Sequence, residues 1–128
     1  NADPAYAKTR DDARRLAAET LDTILARNKL AALVAPTTGT AWLSDPVHGD
    51  QWSGPSASQL PAVAGYPHLT VPMGLTGGLP MGLSFIGAKW SDGRLLELGH
   101  AYEQASRARV KPGYRATVDA GPGIEGTR

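Results

Sequence analysis

The chain has 128 residues, 41% of them hydrophobic and 20% charged, with a formal net charge of +1 at pH 7, enough for one domain with its own core. A charge balance this even gives no electrostatic basis for binding nucleic acid or an anionic membrane. Cysteine is absent, which excludes disulfides, thiol nucleophiles and thiolate metal sites. No apolar run reaches the length of a membrane span and no signal-like apolar segment opens the chain, so the expected location is cytoplasmic.

Asp3-Pro4 reads as a helix start, a capping carboxylate followed by proline at the first helical position. Ala13, Leu16, Ala17, Leu21, Ile24 and Leu25 follow helical three-and-four spacing, with Asp11, Arg14, Arg15, Glu19 and Asp22 mostly on a solvated opposite face. Asn28-Lys29 ends this helix, and Leu30–Ala35 reads as a buried strand closed by Pro36. From Thr37 to Pro61 no period is sustained. Gly, Ser, Pro and Asp dominate, but Trp42 and Trp52 argue for an ordered loop, since large aromatics seldom sit in solvated linkers.

Leu69–Val71 and Met81–Ile86 are short apolar runs bounded by Pro and Gly, with Thr76-Gly77-Gly78 between them to supply the positive backbone angles of a tight reversal. Ser91-Asp92 caps a second helix, whose buried stripe is Leu95, Leu98, Tyr102 and Ala105, widened by Leu96 and Gly99. Arg107, Arg109 and Lys111 fall at its end, where the helix dipole favours cations, and Pro112-Gly113 stops it. Residues 114–128 carry few apolar anchors and read as a mobile tail.

The chemistry-bearing residues mostly have a plainer reading. None of the serines lies in a Gly-x-Ser-x-Gly turn or has a lysine three residues on, and none has a base by spacing. Ser84 sits within a strand, Ser91 is a cap, and Ser53, Ser56 and Ser58 are loop serines that bond nearby backbone. Asp45, His48 and Asp50 cluster, but Asp45-Pro46 and Gly49-Asp50 are turn formers and the spacing matches no metal pattern. His68 flanks a strand, His100 lies within a helix, and both read as packing residues. The glycines from Gly74 to Gly82 precede no helix that could take a phosphate, so hairpin geometry explains them. No cofactor or metal site is expected.

Four segments in order carry a resemblance: Ala31-Ala-Leu-Val-Ala-Pro-Thr37, Ala64-Gly-Tyr-Pro-His-Leu-Thr-Val-Pro72, Gly78-Leu-Pro-Met-Gly-Leu-Ser-Phe-Ile-Gly87, and the Leu95-Leu-Glu-Leu98 helix. Together they resemble the C-terminal part of amidase-signature enzymes, from about Tyr6 to Arg109. Thr37-Thr-Gly-Thr-Ala-Trp-Leu-Ser-Asp-Pro46 and Ala101-Tyr-Glu-Gln-Ala-Ser-Arg-Ala-Arg109 are most similar to the peptide-amidase and aryl-acylamidase branch. Ala62 departs from the asparagine that many members carry three residues before the Gly of Gly-x-Pro.

The resemblance implies an α/β fold, a mixed β-sheet flanked by two amphipathic helices, over residues 1–113. It also implies amide hydrolysis by a lysine, a bridging serine and a nucleophilic serine of a Gly-Gly-Ser-Ser-x-Gly motif. That motif is absent from this sequence, so the chain by itself is expected to be inactive. Its implied share is scaffold strands and part of the pocket wall, with Trp42, Asp45 and Trp52 as substrate-side residues, and the amide substrate is met only in the complete enzyme. The implied partner is the remainder of an amidase, or a second copy paired through exposed strand edges, with no nucleic acid and no membrane. The alternatives are a non-catalytic assembly module built on the same fold, and part of the amidase-like subunit of a tRNA-dependent amidotransferase.

Overall fold

The computed structural model describes residues 3–42, 45–50, 54 and 56–113. Helix α1 (Pro4–Arg27) starts as expected. The Asp3 carboxylate accepts the Ala5 N–H at 2.9 Å, and Pro4 fills a position whose N–H would be unpaired anyway. Ala17, Leu21 and Leu25 are its buried residues, whereas Ala13 is exposed and Leu16 is 55% exposed, so the stripe is narrower than the sequence pattern. The chain leaves the helix through Asn28, with Lys29 in the left-handed region.

Strand β1 (Leu33–Pro36) follows, then a short helix α2 (Gln59–Ala64), strands β2 (His68–Thr76) and β3 (Leu79–Ile86), and helix α3 (Asp92–Ser106). Helix α2 corrects the reading of Thr37–Pro61 as one irregular loop. At six residues it is too short to show a period, but Gly65 at its end has φ 73°, as a left-handed helix cap requires. The sheet order is β1-β3-β2 and both pairings are antiparallel. The α/β class and the helices on the sheet are as expected. The mixed sheet is not seen among the described residues, because a β-hairpin and a return strand supply antiparallel neighbours only.

Gly77 and Gly78 both have positive φ (58° and 80°), the two-residue hairpin reversal that matches strand twist. The register shifts between Pro72 and Gly74, a bulge in β2. Below the bulge His68 opposes Ile86 and Thr70 opposes Ser84, while Ala35 of β1 flanks Ser84 from the other side.

Side chains alternate across the sheet, so its two faces differ. One carries Leu69, Val71, Leu83 and Phe85 against Leu95, Leu98 and Tyr102 of α3. Phe85 and Tyr102 meet edge-on with centroids 5.9 Å apart. Gly99 lets α3 come down on Leu69 and Val71, where a Cβ would clash. Leu96 and Ala105, expected in this stripe, are exposed. The Ser91 hydroxyl does not cap α3 but donates back to the Ala88 carbonyl at 2.7 Å. The helix ends at Ser106 through Arg107 in the left-handed conformation, before Pro112 is reached. The expected tail, 114–128, lies outside the described residues.

The other face is apolar at one end, where Leu33 and Ile86 pack with Ala17, Leu21 and Ala64 of α1 and α2. At the opposite end it turns polar.

Candidate functional site

The polar end of that face is built from the three strands. Thr37 continues β1, Ser84 and Gly82 come from β3, and His68 and Thr70 from β2. Ser84 is completely buried and is the one polar residue in the core of the described chain. His68 Nε2 lies 2.6 Å from Ser84 Oγ, Ser84 Oγ donates to Thr37 Oγ1 at 2.9 Å, and Thr37 Oγ1 donates to Thr70 Oγ1 at 3.3 Å. A hydroxyl has one proton to give. With Ser84's given to Thr37, His68 must donate from Nε2, which fixes the tautomer. Gly82 completes the packing, since a Cβ there would lie 2.7 Å from Thr70 Cγ2 and 2.8 Å from Thr37 Oγ1.

This is a serine and histidine pair that sequence spacing did not reveal. It is not a poised nucleophile. Ser84 has no exposed surface, and its proton points to Thr37 and away from the imidazole, whereas a nucleophilic serine must hand its proton to the base. Burial lowers the pKa of His68 from its ordinary value of 6.5, which keeps the ring neutral.

Thr37 also ties down the long loop. Its N–H donates to the Gly82 carbonyl at 2.8 Å and its carbonyl accepts the Ala57 N–H at 3.0 Å, so both loop ends meet at one residue. Farther in, Gly54 lies against Gly39, where a Cβ would come within 3.3 Å of Gly39 Cα.

Within the loop, Trp42 is 37% exposed and its indole N–H donates to Asp50 Oδ1 at 3.1 Å. Asp45 begins the expected turn. Its Oδ1 accepts the N–H groups of Val47 (2.8 Å) and His48 (3.0 Å), and its Oδ2 meets His48 Nδ1 at 2.8 Å. The backbone bond from His48, then its ring, lower the Asp45 pKa below 3.8. Trp52, the remaining substrate-side residue of the sequence reading, lies outside the described residues. His100 is exposed on α3 rather than packed. Among the described residues no three His, Asp or Glu side chains gather as a metal set.

A cavity of about 370 Å³ opens beside the hairpin, lined in part by Thr70, Pro72, Leu75, Met81 and Arg109. Neither Trp42 nor Asp45 lines it.

The arrangement is thus a scaffold sheet with an anchored loop. No family model matches the chain. A solved peptide amidase from Stenotrophomonas maltophilia superposes on 87% of this chain with a TM-score of 0.76 and 54% identity. A peptide amidase solved with the competitive inhibitor chymostatin covers 89% of the chain, with a TM-score of 0.80 and 51% identity. The A subunit of the Hahella chejuensis glutamyl-tRNA(Gln) amidotransferase is 38% identical over 106 residues, 77% of this chain. The chain is a segment of the amidase-signature family, in sequence and in fold. It spans 21% of the length of the Hahella relative and 22% of the Stenotrophomonas enzyme.

Proposed function

We propose that the chain is a scaffold and pocket-wall segment of an amidase that hydrolyses carboxylic amides. Identity of 51% across 89% of the chain to a peptide amidase supports this most directly. The lower identity to the amidotransferase relative, 38% over 77% of the chain, favours the amidase branch. In the complete enzyme a neutral lysine draws a proton through the bridging serine as the nucleophilic serine attacks the amide carbonyl. The C–N bond breaks, the relayed proton leaves on the ammonia or amine, and water then hydrolyses the acyl-enzyme to the acid. Backbone N–H groups hold the oxyanion. This segment contributes strands and the anchored loop, from which Trp42 and Trp52 offer apolar surface and Asp45 one ionised contact.

The chain incubated with a serine-directed covalent probe is expected to form no adduct and to leave peptide amides intact. A stoichiometric adduct that an amide substrate competes away would show a nucleophile within the chain. Ser84 would be the first residue to check by peptide mass spectrometry.

A further inference from the structure

We propose that Ser84 and His68 are positioning residues for the Thr37–Ala57 loop. They hold the Thr37 hydroxyl, and Thr37 in turn holds both ends of the segment that presents Trp42 and Asp45. The functional meaning rests on the pocket-wall reading; the mechanical claim does not.

Thr37 has three anchors, one on each of its polar groups: N–H to Gly82, carbonyl from Ala57, and hydroxyl between Ser84 and Thr70. A loop of this length has many ways to close, and two backbone bonds at one residue leave that residue free to rock about β1. The hydroxyl removes that freedom, because its partner Ser84 is fully buried in the central strand and is itself held by His68. Gly82, which has no side chain, leaves the space over β3 that the Thr37 and Thr70 side chains fill. The donors and acceptors run in one direction, from the imidazole to the Thr70 hydroxyl, so each bond strengthens the next.

Amide hydrogen exchange on the ¹⁵N-labelled chain tests this. Thr37→Val keeps the shape and deletes the hydroxyl, Ser84→Ala deletes its partner, and Thr37→Ser restores the hydroxyl. In the first two variants the Ala57 amide is expected to accelerate about tenfold more than the core β3 amides of the same variant, which report the shared loss of global stability; the third should match the parent. An unchanged Ala57 rate, or core amides that accelerate equally, would overturn the proposal. The ring ¹⁵N shifts of the unmutated chain give a second reading, should a variant fail to fold. A neutral imidazole with Nε2 hydrogen-bonded is expected for His68; a free ring exchanging between tautomers would show that His68 does not hold Ser84 and would refute the proposal. These measurements involve no substrate. Failure of the pocket-wall reading would instead appear as an unchanged KM after Trp42→Ala in an amidase that contains this segment.

Discussion

His68 Nε2 reaches Ser84 Oγ at 2.6 Å as a diagonal neighbour across the β2–β3 pair, His68 standing opposite Ile86 and Ser84 opposite Thr70. Removing the serine hydroxyl leaves the imidazole N–H and the Thr37 hydroxyl without their fully buried partner. Ser84→Ala is therefore expected to cost about 2 kcal/mol in urea unfolding, more than an exposed Ser→Ala change. A loss under about 0.5 kcal/mol, on the scale of a surface substitution, would mean the network contributes little.

Stability should also depend on pH through His68. Burial lowers its folded pKa below 6.5, so over the interval between the two values the unfolded chain binds more protons than the folded one. The stabilisation is complete above pH 6.5 and is lost as pH falls through the lowered value. The urea midpoint should fall across that interval, and His68→Gln should flatten the slope. Asp45 acts in a separate window: its contribution is present above pH 3.8 and lost as pH falls through its own lowered pKa.

Gly82 is required by contact, not by backbone angle. A methyl group there meets Thr70 and Thr37, and Gly82→Ala should destabilise by about 1–3 kcal/mol. Pairing it with Thr70→Ser, which removes the crowding Cγ2 methyl and keeps the Thr70 hydroxyl, should recover part of the loss in a double-mutant cycle. Strict additivity would place the strain elsewhere.

Among the described residues β1 and β2 each pair only with β3, so their outer edges stay open. Helix α3 covers β2 and β3, and Val34 on β1 is left 59% exposed. The chain is expected to self-associate through these edges in sedimentation velocity runs at rising concentration, with Val34→Lys weakening the effect. A concentration-independent monomer would contradict this.

Helices α1 and α3, the strands and the Gly77-Gly78 reversal were legible because local chemistry decides them: the Asp3 cap, the apolar runs, two glycines with positive φ; the six-residue α2 was not. The Ser84–His68 contact was not. An unbroken hairpin closed at Gly77-Gly78 would set His68 opposite Gly87 and put Ser84 on the other face. The bulge between Pro72 and Gly74 shifts the register by one and brings them together. Its one trace in the sequence is Pro72 followed so closely by Gly74, which is also how a strand end reads. Leu16 and Leu96 fit their helical stripes by spacing, yet both are exposed, because tertiary packing uses less of each helix than the pattern offers. Trp42 and Asp45 were legible as ordered loop residues; the turn that holds Asp45 followed from Asp45-Pro46, whereas the Thr37 anchor needed the strand order.

The most direct test of the segment reading is the coding sequence on the 5′ side of the Asp3 codon. An in-frame Gly-Gly-Ser-Ser-x-Gly motif with an upstream lysine motif is the expected result, and it would join this scaffold to the groups that perform the chemistry. A start codon close to Asp3 with no such frame would contradict it, and the amidase-derived assembly module would become the better description.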